Sequence, residues 1–311
     1  MQSKIGDKMI NNTFVTTALR SDFVGKMIKT LYEYTDMKNN RVILIDQTLK
    51  GLPKIDGVHL VIRPHRNLGF AKAMNEGMIH GLHWKSDYIT CINDDVQFIH
   101  KSWWQGILDT FNMPSEKEIV AVAPESVRIP LWGYGDKMGK YVEVIDYKEK
   151  FTDEDYAFLL KGDFSHMKTK YPDLPKTFPS NYVGVCDALA AWGPVFKRKC
   201  LEEIGLFDER FYPAGAEDYC YCTRAYSKNF RIVSTRKSWL FHFWGKSKDE
   251  LKEAGEQGLP IDPKRNWADL TYLFPPEWNE GNKLDVWGWY TSKDGTRKPF
   301  KRRPEIGVVD I

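Results

Sequence analysis

Two adjacent carboxylates follow a predicted buried strand. Residues 88–92 form a short, mostly apolar run, and Asn93, Asp94 and Asp95 come directly after it. Neighbouring acids at a strand end repel each other unless a cation or hydrogen bonds compensate their charge. Mg²⁺ and Mn²⁺ prefer oxygen ligands and often keep substrate phosphates in their coordination shell. The triplet therefore fits either a divalent-metal site or a plain polar turn.

A second acidic pair and a late histidine could carry other chemistry. Glu217 and Asp218 stand at the start of a predicted helix, where acids suit the helix dipole. A carboxylate there could also deprotonate an acceptor hydroxyl, as a general base. His242 follows a strand in an aromatic segment, where its imidazole could complete a metal site, and Lys246 could contact a phosphate. A capped helix and a structural histidine are the plainer explanations.

A glycine-containing turn precedes another predicted helix. Asn67 and Gly69 form the turn, and a helical pattern covers residues 71–83. The N-terminus of a helix that begins after such a turn can hold a phosphate or the edge of a ribose. Ordinary loop chemistry explains each of these residues singly, so the segment becomes informative only together with the acids and the histidine.

Alternating strands and helices must position these residues. The pattern over residues 1–120 predicts helices and short strands at 14–19, 23–35, 41–45, 58–62, 71–83, 88–92 and 119–123. Continuous apolar strands that alternate with helices predict an α/β fold with a mostly parallel sheet covered on both faces. Ligands bind beyond the carboxyl ends of the strands in such sheets. Polar residues gather at those ends, namely Thr16, Thr17, Asp46, Asn93, Asp94 and Asp95.

The rest of the chain is less regular. Residues 127–180 mix Gly, Pro, Tyr and charges, which predicts an insertion over the sheet edge. Ordered elements are predicted again at 182–191, 199–204, 217–228 and 231–234. The pattern weakens after residue 248. We therefore predict one domain over residues 1–248 and an aromatic, basic appendage over residues 249–311.

Composition and charge limit the class of protein. The chain has 311 residues, 42% hydrophobic and 28% charged, and a net charge of +3. These values are those of a globular protein and give no argument for nucleic-acid binding. Five cysteines, an odd number, argue against a disulfide framework. Because no long apolar run occurs, at the N-terminus or elsewhere, we expect a cytoplasmic protein and leave peripheral membrane contact open.

Taken in order, these residues resemble the family 2 glycosyltransferases, inverting enzymes with the GT-A fold, and in particular their rhamnosyltransferase-like members. That family's pattern runs from a strand-end Asp through two Asn-x-Gly motifs to an Asp-x-Asp-like triplet. It continues through Gly-x-Phe-Asp-x-x-Phe to Glu-Asp and a late His. The matching positions, spread over about residues 12–248, are Asp46, Asn67, Gly69, Asn75, Gly77, Asn93, Asp94, Asp95, Gly205, Phe207, Asp208, Phe211, Glu217, Asp218, Arg224, His242, Gly245 and Ser247.

The resemblance implies a pocket for a nucleoside-diphosphate sugar. Thr17 and Asp46 would line the nucleobase and ribose pocket, and Arg66 and Asn67 would lie beside it. Asp94 would reach the ribose. UDP is the first candidate for the carrier and dTDP the next.

The resemblance also implies a metal and a base. Asp95 and His242 would bind Mn²⁺ or Mg²⁺. Asp218 would be the catalytic base, with Glu217 beside it. Trp192 would contact the donor or acceptor sugar, since an indole suits the apolar face of a sugar. One base without a separate nucleophile implies a single displacement with inversion.

Three positions depart from the family pattern. Asn93 replaces the first acid of the triplet, which puts the ribose contact in doubt and leaves the metal ligand in place. Cys220 stands where a further acid is common, so Asp218 is the one base candidate. Trp192 replaces a smaller residue that is common in the family, which implies an acceptor pocket of different shape.

Several alternatives remain open at this stage. The acceptor could be a glycan or another hydroxyl compound, and the basic run at residues 293–303 also fits a nucleic acid or an anionic lipid-linked acceptor. A non-catalytic protein that binds nucleotide sugars or glycans on a degenerate GT-A scaffold is one rival. A zinc protein using Cys220, Cys222 and His242 is another. A nucleotidyltransferase is the third, although residues 13–22 lack its usual glycine-rich phosphate loop.

Overall fold

The structure, a computed structural model, describes most of the predicted catalytic domain and a small part of the C-terminal region. The described residues are 4–5, 8–19, 21–48, 51–126, 133–134, 169–170, 183–186, 189, 192–215, 217–242, 283–284, 289–291 and 297–299. Lys246 lies outside them, as do most of the predicted insertion at 127–180 and most of the predicted appendage at 249–311. The predicted domain boundary at residue 248 therefore stays a prediction.

Strands and helices alternate along the chain. The helices are α1 (Ser21–Tyr34), α2 (Phe70–His83), α3 (Trp103–Phe111), α4 (Arg198–Ile204) and α5 (Glu217–Ser227). None of the helices described is long and apolar enough to cross a membrane. The strands are β1 (Lys4–Ile5), β2 (Lys8–Met9), β3 (Asn12–Ala18), β4 (Arg41–Asp46), β5 (Leu60–Ile62), β6 (Tyr88–Asn93), β7 (Val96–Phe98), β8 (Ile119–Ser126), β9 (Gly133–Tyr134), β10 (Val183–Cys186), β11 (Val195–Lys197), β12 (Arg231–His242), β13 (Lys283–Leu284), β14 (Trp289–Thr291) and β15 (Arg297–Pro299).

The main sheet has the order β5-β4-β3-β6-β11-β8-β12-β10-β9, and β7 also pairs with β12. β3 runs parallel to β4 and β6, β4 runs parallel to β5, and β8 runs parallel to β12. β11 is antiparallel to both of its neighbours, so β6 and β8 point the same way. This arrangement confirms the predicted α/β fold with a mostly parallel sheet.

Burial explains why these segments form strands and helices. Four consecutive residues of β4 are at most 1% exposed, which requires cover on both faces of the sheet. In α1 the buried residues recur at intervals of three and four, the spacing of one helical face, and they are Phe23, Val24, Met27, Ile28 and Leu31.

Glycines set how closely two helices approach the sheet. A Cβ on Gly77 of α2 would lie 2.2 Å from Cγ1 of Val15 in β3. A Cβ on Gly106 of α3 would lie 2.2 Å from the backbone oxygen of Lys237 in β12. Real Cβ atoms do not come this close to other heavy atoms, so both helices sit at a distance from the sheet that only glycine permits.

Some elements differ from the sequence pattern. The pattern does not predict β7, β11 or α3, and it predicts only residues 231–234 of the much longer β12. β7 and β11 have three residues each, too few to show a period. In β12 a register irregularity between Thr235 and Trp239 spans polar residues that end the apolar run. The strand then continues to His242 because it gains β7 as a partner.

Candidate functional site

The carboxyl ends of three central strands bring predicted donor-site residues into one row. In the register of the sheet, Ala18 of β3 pairs with Asp46 of β4, and Thr17 pairs with Asn93 of β6. Neighbouring strands lie about 4.8 Å apart, so the row is compact. Asp94 follows it, half-buried, in the turn between β6 and β7. This edge is where open α/β sheets bind ligands.

Asp95 and His242 are brought together by the pairing of β7 with β12. The antiparallel ladder aligns His242 with Val96, so Asp95, the residue just before β7, lies beside the imidazole. Nε2 of His242 is 3.0 Å from Oδ1 of Asp95. Both residues are buried, at 4% and 3% exposure.

The two side chains form a close buried pair. The side-chain amide nitrogen of Asn93 lies 3.3 Å from the same Nε2 of His242. In one tautomer of the neutral imidazole, Nε2 accepts from that amide, whereas a protonated imidazole pairs directly with the carboxylate of Asp95. Apart from this contact, Oδ1 of Asp95 has no partner in the described part of the chain. In the tautomer that leaves Nε2 unprotonated, a cation between the nitrogen and the carboxylate would stabilise the pair.

The chemistry of this pair fits a hard divalent ion. Adjacent ligands of an octahedral ion, each at about 2.1 Å from it, lie about 3 Å apart, which matches the separation of the two atoms. Carboxylate oxygen is a suitable ligand for both Mg²⁺ and Mn²⁺. Of the two ions, Mn²⁺ is the transition metal and the one that also accepts an imidazole nitrogen. Asp95 and His242 would hold such an ion, with water and phosphate oxygens in the remaining positions.

Two cysteines belong to the zinc alternative. Across the described residues, no group of three or more His, Cys, Asp or Glu side chains could hold a metal, which applies to a site for Mg²⁺ or Mn²⁺ as much as to a zinc site. Cys220 and Cys222 are buried and are not joined in a disulfide, and the thiol of Cys222 accepts a hydrogen bond from the backbone N–H of Leu189 at 3.2 Å.

Trp192 packs against the imidazole. Its ring centroid lies 5.2 Å from that of His242, with the planes tilted by 38°. Its indole N–H donates to the backbone oxygen of Pro124 at 3.3 Å, and the residue is only 7% exposed. The tryptophan therefore fixes the orientation of His242, and its predicted contact with a sugar stays a prediction.

Asp46 holds a loop at the end of β4. One carboxylate oxygen accepts hydrogen bonds from the backbone and side chain of Thr48, and the other accepts them from Leu52 and Arg63. Burial favours the protonated acid, but these hydrogen bonds outweigh it and hold the pKa of Asp46 below its usual value. The residue lies where the donor pocket is predicted, with both oxygens engaged by the protein.

Gln47 links the strand ends to the turn before α2. Its side-chain nitrogen donates to Thr17 Oγ1 at 2.7 Å, and its side-chain oxygen accepts from the backbone N–H of Leu68 at 2.6 Å. Asn67 Oδ1 accepts from the backbone N–H of Gly69 at 2.8 Å, as the predicted turn requires. Thr17 and Asn67 therefore belong to one connected patch.

Arg66 lies next to the chain segment that leads to the acidic pair. The residue is exposed. Burial raises the pKa of Tyr212, and the positive charge of Arg66 opposes that rise, which places the guanidinium near the phenol. Tyr212 precedes Glu217 by a few residues, so the turn before α2 and the start of α5 are neighbours.

Glu217 and Asp218 occupy the first turn of α5. Glu217 is 4% exposed, and its Oε2 has no hydrogen-bond partner among the described atoms. Burial, and then the negative charge of Asp218, raise the pKa of Glu217 to about 8. Asp218 is half-buried. Burial therefore favours the protonated form of Glu217, and Asp218, the less buried member of the pair, stays the predicted base.

The sequence analysis assigns no role to three positioning residues, Gln47, Asn75 and His100. Gln47 directly follows the strand-end Asp46, and that position is a usable signal. Asn75 belongs to the family pattern, which assigns it no role. His100 gives no sequence signal. Its Nε2 accepts from the backbone N–H of Trp239 at 3.0 Å, its Nδ1 lies 3.0 Å from Ser102 Oγ, and burial lowers its pKa to about 4.

The described residues also line a cleft of about 350 Å³ at the opposite, amino-terminal end of the sheet. Amide and cationic side chains dominate its walls, which are formed by Asn11, Asn12, Met37, Lys38, Asn39, Asn40, Arg41, His59, Trp84 and Ser86. None of the predicted site residues lies there, so we place the candidate site at the carboxyl edge.

Comparison with known proteins supports the architecture. No protein-family model matches the chain, and no curated protein matches it in sequence. Among solved structures, GalNAc-T7 with UDP, GalNAc and Mn²⁺ is similar, with a TM-score of 0.51 and 12% identity over 95% of this chain. The match covers 65% of the GalNAc-T7 chain, so the present chain spans less than two thirds of it.

A second similar structure is the mannosyltransferase PcManGT from Pyrobaculum calidifontis in complex with GDP-Man and Mn²⁺. Its TM-score is 0.50 at 13% identity, over 86% of this chain and 71% of the mannosyltransferase chain. Identities this low establish the fold alone. The chain therefore has the GT-A fold, with its candidate site at the carboxyl edge of the sheet.

Proposed function

We propose that this chain is a divalent-metal-dependent glycosyltransferase that moves a sugar from a nucleoside-diphosphate donor to an acceptor hydroxyl with inversion. The observation that carries the proposal is the buried Asp95–His242 pair, in which Nε2 and Oδ1 lie 3.0 Å apart, the spacing of two neighbouring ligands of one ion. The pair stands beside Asn93, which is in register with Thr17. A cation there would lie beside the row of donor-site residues.

The chain's own residues divide the work of binding. Asp95 and His242 hold the cation, and Trp192 keeps the imidazole oriented. When bound, the cation stabilises the negative charge that develops on the departing diphosphate. Thr17 and Asn67 face the nucleoside, and Gln47 keeps them together. Arg66, exposed beside them, supplies positive charge for the donor.

Asp218 receives the proton in the transfer step. The acceptor oxygen forms a bond to the anomeric carbon while the bond from that carbon to the diphosphate oxygen breaks. The acceptor proton passes to the Asp218 carboxylate, and the electron pair of the broken bond leaves with the diphosphate. Glu217, protonated and buried beside it, adds no second negative charge that would repel the diphosphate.

A donor screen tests this proposal. UDP-, dTDP- and GDP-sugars, including the rhamnosyl donor, are added with Mn²⁺, and the melting temperature of the protein is measured with each. Release of nucleoside diphosphate is then measured in a second assay. We expect one donor to stabilise the protein only with the metal present and to be turned over. The product should have the opposite anomeric configuration by NMR. Binding without release, for every donor and for hydroxyl acceptors, would instead support the non-catalytic alternative.

The acceptor is proposed by class only. Glycans and other hydroxyl compounds come first, and RNA or DNA oligonucleotides and anionic lipid-linked sugars are comparison acceptors because of the basic run at residues 293–303. Transfer to an oligonucleotide that weakens steeply with salt would favour the nucleic-acid alternative.

A further inference from the structure

The geometry points to a positioning role for Asn75, and this role rests on the proposed function. We infer that Asn75 ties the segment 205–215, here named the α4–α5 loop, to α2 and thereby places Asp218 for proton transfer. Asn75 lies in the middle of α2 and is 2% exposed. Neither the predicted donor contacts nor the metal pair uses it.

Asn75 binds both backbone groups of one loop residue. Its Oδ1 accepts from the N–H of Phe207 at 2.9 Å, and its Nδ2 donates to the carbonyl oxygen of Phe207 at 2.9 Å. The same Nδ2 lies 3.2 Å from Oε1 of Glu209. The short carboxamide carries its donor and its acceptor on two separate atoms, so it can bind the N–H and the carbonyl oxygen of one residue at the same time. Aspartate, serine and alanine cannot reproduce this pairing.

The N-terminus of α2 makes a second tie to the same loop. The backbone N–H of Phe70 donates to the carbonyl oxygen of Pro213 at 2.7 Å. A Cβ on Gly69, whose φ is +75°, would lie 2.8 Å from that oxygen and from the ring of Tyr212. Only glycine allows the loop to come this close. Lys72 adds an exposed ion pair to Glu209 at 3.0 Å.

These ties connect the donor side of the site to the base. On one side, Leu68 just before α2 is bound by Gln47, which also binds Thr17. On the other side, the α4–α5 loop ends two residues before Glu217 and Asp218. α2 therefore forms a rigid link between the residues that face the donor and the residue that receives the proton. A displacement of a catalytic group by about 1 Å can cost about 10²-fold in rate.

The test combines three variants with separate measurements of binding and turnover. Asn75→Ala removes all three contacts. Asn75→Asp keeps an acceptor for the Phe207 N–H, loses the donor and places a second negative charge beside Glu209. Asn75→Asp with Glu209→Gln returns a donor to that contact. Glu76→Gln, at the next position of the same helix, is the matched control.

We expect kcat to fall by about 10²-fold in Asn75→Ala while the donor Kd from calorimetry stays within about threefold. The drop should be as large or larger in Asn75→Asp, partly recovered in the double variant, and absent in the control. Hydrogen exchange of amides in the α4–α5 loop should become faster in Asn75→Ala. All assays are run well below the melting temperature of each variant.

Two outcomes would overturn the inference. One is unchanged exchange in the α4–α5 loop of Asn75→Ala. The other is faster exchange with unchanged kcat, which would make Asn75 a purely structural residue. If the wild type and Asn75→Ala release nucleoside diphosphate at equal rates, this inference is wrong and the proposed function is unaffected. If the wild type releases none, the proposed function is wrong, and the catalytic part of the inference is wrong with it.

Discussion

At the scale of single residues, the site depends on acceptor atoms that protein groups leave open. Most buried polar atoms in a folded protein find a hydrogen-bond partner. Asp46 follows this rule, with four donors on its carboxylate. Oδ1 of Asp95 and Oε2 of Glu217 do not follow it in the described part of the chain. Both atoms lie in the predicted metal and base groups, and further polar atoms without a partner, among them Oγ of Ser234 and of Ser238, occur elsewhere in the described residues.

Removing the carboxylate of Asp95 should abolish metal-dependent donor binding. We expect Asp95→Ala to weaken Mn²⁺-dependent binding of the donor by more than about 100-fold, beyond what loss of an outer-shell partner costs. Calorimetry with the donor, with and without Mn²⁺, measures the effect. Asp109→Asn, an exposed acid on α3, serves as the control. Unchanged affinity in Asp95→Ala would rule out Asp95 as a ligand.

Neutralising Asp218 should stop transfer and spare binding. Loss of a general base costs about 10²–10⁴-fold in rate, so Asp218→Asn should lower kcat by that factor with the donor Kd nearly unchanged. Release of nucleoside diphosphate in the presence of acceptor is the measurement. Near-normal turnover in this variant would show that another group takes the proton.

The sequence identified these residues by type and order, and the structure shows which side chains meet. Asp95 and His242 come from distant parts of the chain, and only the resemblance to a family paired them beforehand. The contacts of Gln47 and Asn75 could not be predicted, because they join segments whose distance depends on the packing of the whole domain. The sequence alone also gave no reason to expect Trp192 against an imidazole.

At the scale of elements, close packing of helices on the sheet sets the geometry around the site. α2 and α3 approach the sheet at Gly77 and Gly106, where there is no room for a Cβ atom. A methyl group at such a position must push the helix or its neighbour aside. α1 also contains a glycine, Gly25, but a Cβ there would meet nothing within 4 Å. The three positions therefore make a matched set.

Alanine at the three glycines should have opposite effects. Gly106→Ala meets the backbone oxygen of Lys237, which cannot turn away, and Gly77→Ala meets Val15. Each should lower the free energy of unfolding by about 1–3 kcal/mol. Gly25→Ala should raise it by about 0.5–1 kcal/mol, because alanine favours the helix. Urea unfolding of the three variants measures the differences, and equal destabilisation by Gly25→Ala would contradict the packing argument.

Element boundaries were predictable where the chain itself shows a period. α1, α2 and the parallel strands β3, β4, β6 and β8 lie within a few residues of their predicted ranges. β12 was not predictable beyond residue 234, since its last residues are ordered by pairing with β7. α3, with its two tryptophans, buries Trp103 and Phe111, and its apolar face became recognisable only once the opposing strands were known.

At the scale of the whole molecule, the free energy of unfolding should depend on pH through Glu217. Its pKa in the folded protein, about 8, lies above the ordinary value of about 4.3 for glutamate. The folded state therefore binds the proton more tightly, so this contribution is complete below about pH 4 and is lost as the pH rises to about 8. Burial lowers the pKa of His100 to about 4. The contribution of His100 to the free energy of unfolding is therefore lost as the pH falls below about 6.5, the ordinary pKa of histidine.

Glu217→Gln should remove this loss of stability at alkaline pH. We expect the free energy of unfolding of the wild type to fall, relative to that of the variant, by on the order of a few kcal/mol between pH 6.5 and 9. The reason is that only the wild type must bury a charge. Chemical unfolding at a series of pH values, with the two proteins compared at each pH, separates Glu217 from His100. Parallel curves for the two proteins would mean that Glu217 ionises normally.

The overall architecture was predictable because it depends on pattern and not on single contacts. Alternating apolar strands and amphipathic helices specify a covered, mostly parallel sheet, and the structure and its similarity to GalNAc-T7 and the mannosyltransferase confirm this fold. The order of the strands beyond β6 was not predictable. It depends on β11 inserting antiparallel between β6 and β8, a three-residue pairing without a sequence signature.

The pairing of β7 with β12 has a consequence for how this chain can vary. Side chains alternate along a strand, so a slip of one residue in this ladder would turn the imidazole of His242 to the other face, away from Asp95. The hydrogen bond that Nε2 of His100 accepts from the backbone N–H of Trp239 favours the observed alignment. Adding one residue between Asp95 and His100 would shift Asp95 away from the imidazole. Length should therefore be invariant in that short stretch among functional homologues.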